Sequence, residues 1–226
     1  MNELALFAGV GGGMLGTGLH GIRTVCAVER DKHAIEVLIQ RQRDGAFEPF
    51  PIWDDICTFD GMPWRGRVEL VSGGFPCQAF SSAASGRNSA DDLWPEMRRV
   101  VADVAPWYVF AENVSADAIE AAAEDCRAMG YQTQALSLGA DDMGGDHVRR
   151  RHWLLAYADD KSQLRRTVNA EMGWMPGIRH SVWEAKPDQP GVADGLSGRM
   201  DRYRATGNGQ IPIVAATALA LLALSD

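Results

Sequence analysis

The most constraining feature of this chain is how it opens. An apolar run, Glu3–Ala8, breaks into Gly9-Val10-Gly11-Gly12-Gly13 and resumes as Met14-Leu15-Gly16. A strand that ends in clustered glycines ahead of a helix start is a βα turn. There the backbone bends sharply and comes close to its surroundings. The same alternation then repeats. Thr24–Glu29 reads as a strand and Asp31 to about Gln42 as a helix. Val68–Ser72, Trp107–Ala111, Tyr131–Leu138 and His152–Tyr157 read as further strands. Asp91 to about Val104 reads as a helix that accepts Pro95 in its first turn, and Ser115–Met129 as a helix halted by Gly130. Strands alternating with helices predict an α/β fold, with a mostly parallel sheet and helices on both faces.

Composition narrows the class. The 226 residues are 46% hydrophobic and 23% charged, which excludes intrinsic disorder. The longest apolar segment, Ile211–Leu224, is too short to cross a membrane and reads as a buried helix. No basic leader precedes the first strand, so no secretory signal is expected. Cys26, Cys57, Cys77 and Cys126 form no CxxC pair and no zinc-spaced cluster. Reduced thiols, a cytoplasmic location and no metal are the expectations. Cys26, Cys126 and Cys57 are expected to be structural.

The net charge is −8, but the acidic excess lies in the first 140 residues. Basic residues gather later, at Arg149-Arg150-Arg151 and Arg165-Arg166. Polyanion binding depends on local potential, so a nucleic-acid partner stays open beside the plainer reading of a solvated surface.

The glycine turn predicts a nucleoside cofactor. Glu29, at the end of the second strand, is placed to accept both hydroxyls of a ribose. Gly11-x-Gly13-x-x-Gly16 also fits a dinucleotide fingerprint, so the turn alone does not choose between a nicotinamide and an adenosyl cofactor. Asp54-Asp55-Ile56 falls where a third strand should end. A carboxylate there would serve either as an adenine acceptor or as a turn cap.

Gly74-Phe75-Pro76-Cys77-Gln78-x-Phe80-Ser81 follows the fourth strand. Together with Phe7-x-Gly9-x-Gly11-Gly12, Glu112-Asn113-Val114, His147-x-Arg149-x-Arg151 and Gly207-Asn208-x-x-x-Pro212, it resembles the DNA (cytosine-5)-methyltransferases. The motifs occur in order over nearly the whole chain. The resemblance implies a Rossmann-like methyltransferase fold, S-adenosylmethionine as cofactor and cytosine in double-stranded DNA as target. It implies Cys77 as nucleophile, Glu112 as the group holding ring nitrogen 3 and the amino group, and Arg151 on the base carbonyl with Arg149 in support. It implies Phe7, Gly9, Gly11, Gly12, Glu29, Asp55, Ile56 and Asn208 at the cofactor, and Gln78 and Ser81 at the DNA.

The chemistry fits these residue types. Carbon 5 of cytosine is a poor nucleophile. A thiolate added at carbon 6 pushes electron density onto carbon 5, which then attacks a methyl donor. A turn at the sheet's C-terminal edge leaves a thiol exposed for this. Arg149 and Arg151, two residues apart at a strand start, share a face, and Arg150 points the other way. The target base must be flipped out of the duplex. Residues 79–92 have the composition of a closing loop, with Arg87 as a candidate phosphate contact.

The expected organisation is a catalytic domain over residues 1–157, a small target-recognition insert over 158–197, and a C-terminal segment over 198–226 that packs back on the sheet. No convincing strand or helix is read between Ala158 and Ser197, which is long for a simple loop. Arg165 and Arg179 are its candidate DNA contacts, and Trp174 and Trp183 its core or its base readers. The resemblance implies a larger insert than this one, so a short target, relaxed specificity or a protein partner for recognition is expected, with a monomer as the state. Compactness resembles phage-borne members, hence a bacterial or phage-infected cytoplasm. Two departures stand out: Ala79 where the family has Pro, and Gly209-Gln210 where Ala/Ser-Val is commoner. An RNA methyltransferase of the same chemistry and a non-catalytic DNA-binding relative are the alternatives.

Overall fold

A computed structural model describes residues 1–76, 92–145, 149–171 and 209–225. The chain runs β1 (Asn2–Leu6), α1 (Gly12–Gly18), β2 (Arg23–Val28), α2 (Lys32–Arg43), β3 (Ile52–Trp53) and β4 (Leu70–Gly74). It continues with α3 (Trp94–Val104), β5 (Tyr108–Asn113), α4 (Ala116–Ala128), β6 (Gln132–Leu138), β7 (Arg151–Tyr157), α5 (Ser162–Glu171) and α6 (Pro212–Leu224). Short 3-10 turns stand at Ile56–Thr58, Met62–Trp64 and Asp141–Met143.

The strands form one seven-stranded sheet in the order β3-β2-β1-β4-β5-β7-β6. From β3 to β5 every pairing is parallel. β7 runs antiparallel to both β5 and β6, so the far edge is a hairpin and not a further parallel unit. Parallel neighbours need a crossover, usually helical. No helix of crossover length stands among the described residues between β6 and β7, and the reversal follows. After β3 the chain returns to the other side of β1. The point of reversal, between β1 and β4, is where an open α/β sheet leaves a crevice at its strand ends.

Side-chain alternation splits the core. Leu4 and Leu6 of β1 face a cluster built with Met97, Val100, Val101 and Val104 of α3 and Ile119, Ala122 and Cys126 of α4. Ala5 faces the other way, toward Met14 and Leu38. On that second face α6 contributes Val214, Ala215, Leu219 and Leu222, packed with Leu164 and Val168 of α5 and with Trp153 and Phe110. The last two rings stack at 5.3 Å. The Ile211–Leu224 run is thus the buried helix that was expected. No described helix is long and apolar enough to cross a membrane.

Helix ends follow local chemistry. Asp31 accepts the N–H of Ala34, and Ser115 that of Ala118, each a side-chain N-cap. Gly130, at φ +94°, ends α4 in the left-handed region that favours glycine.

One buried carboxyl ties β1 to its neighbours. Glu3 is fully buried and accepts hydroxyl hydrogen bonds from Thr17 (2.9 Å), Thr24 (2.7 Å) and Ser72 (2.6 Å). These three donors come from α1, β2 and β4.

The stretch after Ala158 is partly corrected. Ser162–Glu171 is a helix, although no helix was expected there. Among its described side chains the apolar stripe is Leu164 and Val168, four residues apart, against α6. Lys161 Nζ donates to Leu222 O (3.0 Å) and to the carbonyl of Ser225. Arg165 donates to Ala223 O (2.9 Å) and Ser225 O (2.6 Å). Both cations sit at the C-terminal end of α6, where bare carbonyls and the helix dipole favour positive charge. Arg165, expected at DNA, donates in this structure to the end of α6. Trp174, Arg179 and Trp183 lie outside the described residues.

Candidate active site

The crevice between β1 and β4 is lined by Phe7, Gly9, Gly13, Met14, Ser72, Gly74, Glu112 and Gln210, which come from four separate parts of the chain. Phe7 leaves β1 at φ +51°. A bulky residue there is strained, and such strain is held at sites where the surroundings over-determine the backbone.

The glycines of the turn divide by what lies beside them. Gly9, at φ +53°, has no described residue within 4 Å of the place a Cβ would take. That side is open to a ligand. At Gly11, φ +89°, a Cβ would lie 2.9 Å from the Phe47 ring and 3.0 Å from Leu38. At Gly12 it would lie 2.0 Å from Gln210 O. Close packing against Leu38 of α2 and the Phe47 ring, and against the C-terminal segment, requires glycine at these two positions.

Glu29, just past β2, accepts the N–H of Gly9 through Oε2 at 2.6 Å and that of Asp31 through Oε1 at 2.7 Å. It fixes the turn as well as presenting a carboxylate. Asp55 accepts the N–H of Cys57 at 3.0 Å, a cap on the 3-10 turn. The Ile56 side chain is buried in the core, so only its backbone is available to a ligand. Arg99 of α3 donates to Ile56 O (2.7 Å) and Phe59 O (2.9 Å) and holds this turn from below. Nothing in the local pattern announced that contact. Cys26 and Cys126 are buried, and burial pushes both thiols up to about 12. Cys57, expected to be structural, is exposed on the turn.

Glu112 stands near the C-terminal end of β5, 7% exposed. Arg151 Nε approaches its Oε1 at 2.9 Å. Gln210 Nε2 donates to Oε2 at 3.2 Å. Burial raises the carboxyl above its ordinary 4.5, and this outweighs the opposing pull of the Gln210 hydrogen bond and of Arg151 and Arg149. Arg149 donates to Gly209 O at 2.6 Å. Arg150 points away, to Asp141 (3.3 Å) and Asp142 (3.2 Å). Arg149 and Arg151 thus converge on the Glu112 side as their spacing predicted, and Arg150 is neutralised by its own turn.

Asn113 Nδ2 donates to Phe75 O at 2.8 Å, which roots the segment after β4 to the end of β5. The Phe75 ring packs on Trp94 at 5.1 Å, and Leu93 N donates to Pro76 O at 3.3 Å. The described chain stops there. Cys77, Gln78, Ser81, Arg87 and Asn208 lie outside the described residues. Among the described residues no group of His, Cys, Asp and Glu is arranged to hold a metal.

Gln210 is the site residue that the sequence left unread. Its one signal is the departure from Val in the last motif.

Comparison with known proteins points the same way. The model of the C-5 cytosine-specific DNA methylases matches residues 1–191. Type II methyltransferase M.Eco47II of Escherichia coli is 36% identical over 118 residues, covering 49% of this chain and 26% of the relative. Type II methyltransferase M.DdeI of Desulfomicrobium norvegicum is 25% identical over 218 residues, covering 90% of this chain and 52% of the relative. The chain thus spans between a quarter and a half of the length of these relatives. The Dnmt2 methyltransferase of S. pombe superposes with a TM-score of 0.55 at 21% identity, over 70% of this chain and 51% of that one.

Proposed function

This chain belongs to the C-5 cytosine-specific DNA methylase family, and from that premise we propose that it methylates carbon 5 of cytosine in double-stranded DNA. The observation that carries the reading is the shared crevice. A buried carboxyl suited to a base edge, Glu112, lines the same opening as the glycine turn.

The residues fit S-adenosylmethionine. Gly9 leaves open space beside it, the Glu29 carboxylate stands next to that space, and the Asp55-Ile56 turn is braced close to the end of β3. Glu29 has lone pairs left for ribose hydroxyls after its two backbone contacts. Bound there, S-adenosylmethionine supplies a methyl group on a positively charged sulfur.

The chain's own residues do the remaining work. The Cys77 thiolate adds to carbon 6 of a flipped-out cytosine, forming a C–S bond and placing an electron pair at carbon 5. Glu112, pushed toward its neutral form, donates to ring nitrogen 3 and accepts from the amino group. Arg151 donates to the carbonyl oxygen. Arg149 holds Gly209, and so the neighbourhood of Gln210, in place. After methyl transfer, loss of the carbon-5 proton and departure of the thiolate restore the ring. Asn208 is assigned to the cofactor, and Gln78, Ser81, Arg87 and Arg179 to DNA.

The test is bisulfite sequencing of DNA from a methylation-free host expressing the chain, beside Cys77→Ser. Protected cytosines with the wild type and none with the variant are expected. Unmodified DNA throughout, or a variant as active as the wild type, overturns the reading. DNA carrying 5-fluorocytosine should trap the wild type as a denaturant-resistant adduct, because fluorine does not leave as a proton does.

A further inference from the structure

Gln210 occupies a place that neither the cofactor turn nor the base-holding residues account for. Its side chain spans the two. The amide nitrogen donates to Glu112 Oε2 at 3.2 Å. The amide oxygen lies over Gly13, where a Cβ would come within 2.1 Å of it. The nitrogen also passes over Gly74, where a Cβ would lie 2.9 Å away. Two glycines without side chains thus make the slot that the amide fills. The backbone on either side is fixed as well. Gly209 O is held by Arg149 at 2.6 Å, and Gln210 O presses on Gly12.

We propose that Gln210 is a positioning residue, which holds the Glu112 carboxyl against the cofactor turn and occupies its second oxygen until the target base takes that oxygen over. This rests on the reading of Glu112 as the base-holding group. In the structure both carboxyl oxygens are engaged, Oε1 by Arg151 and Oε2 by Gln210. A cytosine needs one of them for its amino group. The Gln210 contact is the neutral and longer one, so it is the one to yield.

The contact also bears on protonation. An amide N–H donated to a carboxylate favours the ionised form. Among the described residues, the groups facing Glu112 are Arg151 and Arg149 from the β7 side and Gln210 from the C-terminal segment, and all three oppose the effect of burial. Removing the amide therefore shifts Glu112 further upward.

The test compares the wild type with two variants that act on the amide from opposite sides. Gln210→Met keeps the length and loses the donor. Gly13→Ala keeps Gln210 but pushes its flexible end out of the slot. Carboxyl carbon-13 NMR of the cofactor-free protein follows the Glu112 titration, assigned by the signal missing in Glu112→Gln. Both variants should titrate at higher pH than the wild type. The basic limb of the methyl-transfer pH profile should move upward with them. An unchanged Glu112 midpoint in whichever variant folds overturns the proposal. The titration needs no activity, so failure of the wild type to methylate DNA would instead count against the proposed function.

Discussion

Glu29 Oε2 accepts the backbone N–H of Gly9 at 2.6 Å, from 20 residues further along the chain. A side chain expected only to meet a ribose also shapes the turn on which the cofactor would lie.

Glu29→Ala should therefore weaken S-adenosylmethionine binding by roughly 10- to 150-fold, the loss of one hydrogen bond to a charged group at about 1.5–3 kcal/mol. It should also lower the melting temperature of the cofactor-free protein, because the N–H groups of Gly9 and Asp31 lose their acceptor. Calorimetry and a thermal melt check the two effects separately. Unchanged affinity with a lowered melt would leave Glu29 a turn residue alone.

Glu3 makes stability depend on pH. Burial raises its carboxyl above the ordinary 4.5, against the pull of the Ser72, Thr24 and Thr17 hydroxyls. A group raised on folding contributes stability that is full below its unfolded value and is lost as pH rises through the folded one. Glu3→Gln, which cannot ionise, should thus gain on the wild type as pH rises from mildly acidic to mildly alkaline. Urea unfolding across that range is the measurement, and curves that stay parallel would refute it.

The basic cluster at residues 161–166 is the third case. Arg165 and Lys161 are engaged on the end of α6. Arg165→Ala should cost about 1–2 kcal/mol of stability. It should leave the salt dependence of DNA binding as it was, because a residue that touches no phosphate releases no counterion. A shallower salt slope would return Arg165 to the DNA side.

These residues show where the sequence was legible. Strands β1, β2, β4 and β5 and helices α3 and α4 were read to within a few residues, since each has an apolar pattern of its own and a glycine, proline or capping residue at its end. Arg149 and Arg151 come to the Glu112 side as their spacing suggested, although only Arg151 lies in β7 and Arg149 precedes it. Helix α5 was missed because two buried residues in a polar stretch make too narrow a stripe to read. The β6–β7 reversal was missed because direction is set by the connection and not by the strands. The role of Gln210 has no local signature. Its partner lies 98 residues away, and only packing brings the two together.

The meeting of α1 with α6 has a consequence for how the protein is made. Pro212 O and Ala215 crowd Gly16, and His20 Nε2 lies 2.9 Å from Ala216 O, 196 residues on. The turn that opens the chain is thus finished by a helix that leaves the ribosome nearly two hundred residues later. Until then α6 cannot cover the glycine face of α1. A chain stalled before residue 209 would hold most of its sheet and still lack one wall of the cleft. Competence to bind a cofactor would therefore arrive late in synthesis, with docking of α6.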